Sequence, residues 1–276
     1  MHRNDKGADS MPRVRRSERE QEDVAAHGAD YLESLARGLR IISAFNAAPR
    51  PMTLSEAANI ADLPRATARR TLYTLERLGF VTTDGKLFAL TARVLTLATA
   101  YLTSNQISTV LQPVMDRVAG EAQEVCSAAI LDGADAVFIA RASPARVFLT
   151  GLEIGYRLPA FCTSVGRALL GRLSDQELTK FLSQIEPKAQ TPHTISNKTK
   201  LKAIIAADRA QGYSLVDQEA EPGFRSVAVP VRRYDGAIIA ALNIGAHVDR
   251  ISVARMRERF LPLLQQATAE VQPLLC

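Results

Sequence analysis

Residues 52–90, MTLSEAANIADLPRATARRTLYTLERLGFVTTDGKLFAL, admit few folds, because helix starts, turns and stops follow one another in a fixed order. Thr53, with Glu56 three residues on, is a capping box that predicts a short helix from Leu54 to Ala61. In such a box each side chain satisfies a backbone N–H that the helix start leaves open. "ADLP" reads as a tight turn, and Pro64 suits the first turn of a following helix, where its missing N–H costs nothing. That helix runs from about Pro64 to Leu78 and is stopped by Gly79. At ~100° per residue, Ala68, Thr71, Leu72, Leu75 and Leu78 gather on one side, and Ala66, Arg69, Arg70, Tyr73 and Arg77 on the other. "FVTTDGKLFAL" then reads as a hairpin with a two-residue Asp-Gly turn. Upstream, Leu32, Leu35, Leu39, Ile42 and Phe45 are spaced as the apolar stripe of a further helix. Helix, helix, turn, helix, hairpin is the order of a winged helix-turn-helix.

The charge supports the same reading once it is divided. Residues 31–104 carry 9 Lys/Arg against 5 Asp/Glu, or +4, whereas residues 1–30 carry 6 against 7 and residues 105–276 carry 19 against 17. These parts, −1, +4 and +2, sum to the net +5 of the 276-residue chain. Basic charge dense in one module is the footprint of a phosphate binder. Arg65, Ala66, Thr67, Arg69 and Arg70 lie in the half of the second helix that reads base edges when a helix enters the major groove. Arginine donates two hydrogen bonds to guanine, and Thr or Ala packs on a thymine methyl. Arg37, Thr53, Thr71 and Lys86 are candidate phosphate contacts, and Arg77, further along, is assigned to phosphate or solvent. The competing reading is a solvated basic face on a small helical bundle.

Four segments organise the chain. Residues 1–30 are polar, charged and without periodicity, as in a disordered tail, and "RVRR" at Arg13–Arg16 belongs to it. Residues 31–90 form the winged helix, and residues 91–104, "TARVLTLATAYLTS", a linker helix. Residues 105–276 alternate helices with strands such as "VCSAAILDG", "AVFIARAS", "FRSVAVPVRR" and "AIIAALNIGAH", as in an α+β sensor-type domain that closes on an amphipathic helix from Ser252 to Gln272. The fold class is therefore α+β in two domains.

Several functions find no support. No Walker A loop, GxSxG or HExxH occurs, and His2, His27, His193 and His247 are dispersed, so no enzyme and no cofactor is expected. Trp is absent and aromatics are 5%, which argues against an aromatic platform for single-stranded nucleic acid. No apolar run approaches the ~20 residues of a membrane span, and the N-terminus lacks the apolar stretch of a secretion signal. Three cysteines without a CxxC fit a reduced cytoplasm. Cys126 and Cys162 are read as buried thiols, with a shared metal site as the alternative.

"SLARGLRIISAFNAAPRPMTLSEAANIADLPRATARRTLYTLERLGFV" resembles the N-terminal domain of the IclR family of bacterial transcription regulators. "GYRLPAFCTSVGRALLG", "AQGYSLVDQEAEPGFRSVAVPV" and "AALNIGAHVDRIS" resemble its C-terminal domain, in wording close to the Pca/Pob subgroup that controls protocatechuate and 4-hydroxybenzoate catabolism. The resemblance covers about residues 31–275. It implies a GAF-like effector-binding domain, homodimers or dimers of dimers on operator DNA, and contact with RNA polymerase if the protein activates. It also implies a pocket for a small carboxylic acid lined by Thr163, Ser164 and Val165, by Val216 and Asp217, and by Ser226 and Asn243. The chain departs from family wording at Pro222 and at Val216, where some relatives carry an acid. Thr163 and Ser164 serve either a ligand carboxylate or the cap of the helix that follows. Arg225 is a candidate counter-ion or a structural partner of Glu219 or Glu221, with Arg141 and Arg146 as further cations. The resemblance thus implies a ligand-responsive regulator of an aromatic-acid (β-ketoadipate pathway) operon. A small-molecule-binding enzyme with a vestigial DNA domain is the alternative.

Overall fold

The computed structural model describes residues 28, 30–47, 50–104, 106–144 and 154–275. Residues 1–27 and 29 of the expected tail, among them Arg13–Arg16, lie outside these residues, as does Arg146. The chain divides into two compact units after Ala100.

In the first unit, α1 (Glu33–Ala47) is followed by β1 (Met52–Thr53), α2 (Leu54–Ile60), α3 (Arg65–Arg77), β2 (Val81–Thr83) and β3 (Leu87–Leu90). The strands form a small sheet in the order β1-β3-β2. Both halves of the capping box are present at Thr53 and Glu56. The turn is sealed by a 2.9 Å bond from Leu63 N–H to the Ala58 carbonyl, with Asp62 in the left-handed region at φ 50°. Pro64 is the cap of α3, one residue before the helix proper. Ile41, Met52, Ala57, Ala68, Leu72, Leu75 and Val81 form the core, each large aliphatic adding about 1.5–3 kcal/mol by leaving water.

Three expectations fail here. The apolar stripe is only half a core face: Leu32, Leu35 and Leu39 are more than half exposed, whereas Phe45 is buried and Ile42 half-buried, with Ile41 and Ala44 buried beside them. Spacing marks which face is apolar, not what covers it. Leu78 is exposed too, because the chain has turned out of α3 at that point toward Gly79. The wing turn occupies residues 84–86 rather than two, with Thr83 opposite Phe88. Its Asp84 carboxylate accepts from the N–H groups of Leu87 and Lys86, both at 2.8 Å. Those two bonds hold the carboxyl below its ordinary range.

A 3₁₀ turn (Ala92–Val94) leads into α4 (Leu95–Ser104), and the division between the units falls within this helix. The second unit then runs α5 (Gln106–Ala122), β4 (Val125–Asp132), β5 (Asp135–Ala142), β6 (Arg157–Pro159), α6 (Ser164–Leu170), α7 (Asp175–Gln184), α8 (Lys198–Gln211), β7 (Ser214–Asp217), β8 (Phe224–Arg232) and β9 (Ile238–His247). The C-terminal helix, α9, covers residues 253–271 and contains a π-helical turn at Met256–Phe260. The strands make one antiparallel sheet in the order β6-β5-β4-β9-β8-β7.

Alternation along β9 explains the layering. Leu242 and Ile244 join Val227, Val229 and Cys126 under α5 and α9, where Leu111, Met115, Phe260 and Leu264 complete the main core. Ala241 faces the other way with Ala129, Ala228 and Phe138, and α6 covers that side through Val165, Ala168 and Leu169. A third cluster joins α6 to α7 and α8 through Cys162, Leu170, Leu178, Leu201 and Ile205. α6 sits so close to the 160–162 turn that a Cβ on Gly166 would stand 2.2 Å from the Ala160 carbonyl oxygen. Only glycine allows that approach.

Candidate functional site

The outer side of α3 carries Arg65, Ala66, Arg69 and Arg70 in the open, with Thr67 and Thr71 half-buried at its edges. The first turn of α3 holds no acid. Among the described residues, no hydrogen bond or ion pair engages the side chains of Arg65, Arg69 or Arg70. Lys86 stands exposed at the wing tip.

Other basic groups of this unit are held by the protein itself. Arg37 pairs with Glu33 one turn earlier, its Nε 2.8 Å from the carboxylate. The Thr53 hydroxyl accepts from Glu56 N–H and donates to the Glu56 carboxylate at 2.9 Å. Arg50 reaches that carboxylate from outside at 2.7 Å, and with the Thr53 bonds it lowers the Glu56 pKa to about 2. Arg77 lies over the Tyr73 ring, 5.1 Å from its centre, and donates to the Tyr73 hydroxyl at 3.1 Å. Sequence reasoning missed Arg93, which donates to the Leu78 carbonyl at 2.9 Å, while Thr91 donates to the Gly79 carbonyl at 2.5 Å. A cation there faces the negative end of the α3 dipole.

In the second unit Ser164, Val165, Val216, Ser226 and Asn243 share the α6 side of the sheet, whereas Asp217 and Arg225, paired one position along β7 and β8, fall on the other face. Ser164 is fully buried, its Oγ 2.7 Å from that of Ser226 on β8. Thr163 is the α6 cap: its hydroxyl accepts from Gly166 N–H at 3.1 Å. Val165 packs into the apolar cluster beneath, so its side chain is wall, not polar contact. Val216 on β7 pairs in register with Ser226.

Arg225 is engaged inside the protein. Its Nε donates to Asp217 at 3.0 Å and its Nη1 to the Ile251 carbonyl at 3.0 Å. The expected partners Glu219 and Glu221 are therefore corrected to Asp217. Glu219 belongs instead to Arg167, which sequence reasoning passed over as one letter of an apolar helix. Arg167 donates to Glu219 at 2.6 Å and to the Phe161 carbonyl at 2.8 Å, and Ile195 N–H donates to the same Glu219 oxygen at 3.0 Å. Nearby, burial raises the pKa of Asp208 against the lowering effect of its 2.7 Å bond from Ser214.

Asn243 on β9 stands opposite Ala228 on one side and Ser127 on the other, and Ser127 stands opposite Arg141 on β5. Paired residues share a face, so Asn243, Ser127 and Arg141 form a polar row across it. Ser127 was not foreseen, since a lone serine in a strand carries no signal until the register is known.

Cys126 lies in the core under α5 and Cys162 in the α6–α8 cluster, so the two thiols do not meet. Burial raises both, Cys162 to about 11. Among the described residues, no group of three or more His, Cys, Asp or Glu is placed to hold a metal, and no helix is long and apolar enough to cross a membrane.

A basic helix-turn-helix joined in one chain to a sheet domain with a polar row beneath a buried helix defines a class: bacterial regulators with a separate small-molecule domain. Residues 34–85 match the IclR helix-turn-helix domain, and residues 99–272 match the bacterial transcriptional regulator IclR C-terminal domain. The chain belongs to the IclR family of transcriptional regulators. It is 41% identical to the Pca regulon regulatory protein of Pseudomonas putida over 88% of this chain and 84% of that one. It is 32% identical to the p-hydroxybenzoate hydroxylase transcriptional activator of Acinetobacter baylyi over 89% and 92%. An IclR homolog from Microbacterium hydrocarbonoxydans, solved with 4-hydroxybenzoate, superposes with a TM-score of 0.74 at 25% identity, covering 87% of this chain and 97% of that one.

Proposed function

We propose that this chain is a cytoplasmic, ligand-responsive regulator of an operon for aromatic-acid catabolism, acting on a palindromic operator as a homodimer or dimer of dimers. The observation that carries the reading is the α3 face. Arg65, Arg69 and Arg70 are exposed and, among the described residues, unpaired, on a helix whose other side is core. These arginines, with Ala66 and Thr67, read base edges in the major groove. Thr71 and Lys86 contact phosphates, with Arg37 and Thr53 supporting them from within their own networks. The apolar side of α1, Leu32, Leu35 and Leu39, is covered by a second copy of the chain, as exposed apolar patches commonly are.

The effector is a small aromatic acid held between α6 and the sheet. Ser164, Ser226 and Asn243 supply polar contacts and Val165 an apolar wall, with Arg141 as the cation on that face. Asp217 and Arg225 brace the β7–β8 edge rather than neutralise the ligand. α6 is only seven residues long, so a carboxylate gains more from these side chains than from its dipole. Control is a coupling free energy: the acid binds one arrangement of the paired DNA heads better than the other. α4, which links the two units, transmits the difference. An activator of this kind also touches RNA polymerase.

The test is a thermal-shift screen of the purified protein with 4-hydroxybenzoate, protocatechuate and aliphatic diacids, followed by DNA-shift assays with the protein's own promoter. A specific stabiliser that also alters DNA binding supports the reading. Turnover of the acid without DNA binding would favour an enzyme.

A further inference from the structure

The polar side of α3 carries an aromatic side chain that the core does not use. Tyr73 is 55% exposed, and the guanidinium of Arg77, one turn on, lies over its ring at 5.1 Å. The Arg77 Nε donates to the Tyr73 hydroxyl at 3.1 Å, so a stack and a hydrogen bond hold the same group. At about 100° per residue, Ala66, Arg70, Tyr73 and Arg77 fall within about 60° of one another around the helix. Arg77 therefore faces outward along the same line as the base-reading residues. At about 1.5 Å of rise per residue it stands about 16 Å beyond Ala66, further than the ~12 Å width of the major groove. Glu76 is the one acid in α3, and among the described residues it makes no ion pair with Arg77.

We propose that Arg77, held flat on Tyr73, is a phosphate site that grips the DNA backbone at the rim of the groove read by Arg65, Arg69 and Arg70. The site belongs to the DNA-binding reading above and rests on it. Arginine has five N–H donors in a planar fork. Nε uses one on the tyrosine, and Nη1 and Nη2 keep theirs for two oxygens of a phosphate. The position along α3 selects phosphate over base, because the groove floor has been left behind at that point of the helix. A long side chain loses rotamer freedom when it binds, and the ring of Tyr73 has removed much of that freedom beforehand. The Tyr73 O–H, which accepts from Arg77, keeps its own proton to donate to the same phosphate. Arg69 and Arg70 have no such brace among the described residues. A backbone contact carries no sequence information, so this one strengthens binding to all duplexes alike.

The experiment is an anisotropy titration of the full-length protein at several salt concentrations, on its own promoter fragment and on an unrelated duplex of equal length. Arg77→Ala weakens both duplexes by the same factor, about fivefold or more, and reduces the slope of log affinity on log salt by about one. Arg77→Lys restores the slope but only part of the affinity, because an ammonium does not offer the flat fork. Tyr73→Ala keeps the charge and hence the slope, and weakens both duplexes by about threefold. Tyr73→Phe, which keeps the ring, falls between it and the wild type. Both side chains are exposed, so the variants melt as the wild type does. Unchanged affinity and slope in Arg77→Ala overturns the site, and so does a loss confined to the promoter, which marks a base contact. A loss in Arg77→Ala with Tyr73→Ala equal to the wild type overturns the part given to the ring. The double variant Arg69→Ala, Arg70→Ala separates this site from the interface it rests on. If the double variant weakens promoter binding and Arg77→Ala does not, the phosphate site alone falls; if neither does, the α3 interface falls with it.

Discussion

Replacing Arg167 with methionine removes a charge from the most enclosed ion pair among the described residues. The side chains of Arg167 and Glu219 are 2% and 8% exposed, so solvent screens neither. The variant keeps much of the volume but leaves the Glu219 carboxylate with Ile195 N–H as its remaining partner of this network. Breaking a buried pair from one side costs about 3–5 kcal/mol, because the surviving charge has lost its compensation. The Phe161 carbonyl also loses its 2.8 Å donor, which places Arg167→Met toward the upper end. For a domain of this size that corresponds to a fall in Tm of about 6–20 °C. Glu219→Gln, which keeps an acceptor for Arg167, strands the guanidinium instead and costs a similar amount. Combining the two substitutions recovers part of the loss, since neither member of the pair then carries a charge, while buried Asp208 still loses the Arg167 charge that lowers its pKa. Urea unfolding of the full-length protein, followed for the transition of the C-terminal unit, measures all three variants. A single-variant cost below about 1 kcal/mol, or strict additivity in the double variant, refutes the claim that this pair is enclosed and mutually dependent.

Three further outcomes follow from the first unit. Arg69→Ala and Arg70→Ala each weaken operator binding by about tenfold or more, and the pair flattens the dependence of log affinity on log salt. Unchanged affinity and slope in an anisotropy titration would remove α3 from the groove. Glu56, lowered from 4.5 to about 2, contributes stability that is fully present above pH 4.5 and lost as pH falls through about 2. The melting difference between wild type and Glu56→Gln is therefore constant near neutrality and closes in strong acid, where a gap that persists contradicts the assignment. Thr53→Ala costs about 0.5–2 kcal/mol in denaturant unfolding through loss of the helix cap.

What was legible in the sequence was local. The capping box, the Gly79 stop and the two sides of α3 as far as Leu75 depend on residues a few positions apart and stand where the pattern set them, with Pro64 one residue ahead of the helix. The α1 stripe misled because Leu32, Leu35 and Leu39 repeat like core residues yet lie where no part of the described chain covers them. Tertiary partners were the illegible part. Arg93 reaches Leu78 across 15 residues, and Arg167 reaches Glu219 across 52. Arg225, close in sequence to three acids, chose Asp217 because β7 and β8 pair those two positions directly. Ser127 beside Asn243 required the register of β4 on β9. Family wording names Ser164, Ser226 and Asn243, but that Ser164 meets Ser226 and that the Asn243 amide oxygen is buried without a partner among the described residues emerges only from the packed sheet.

The central claim is that acid binding in the C-terminal domain and DNA binding by α3 are coupled. Its most direct test is anisotropy titration of a fluorescent fragment of the protein's own promoter, with and without saturating 4-hydroxybenzoate. Saturation is established independently by calorimetry. The account predicts a change in DNA affinity of at least about fivefold, matched by an equal change in acid affinity when DNA is present. Acid bound at saturation with the DNA affinity unmoved would contradict it.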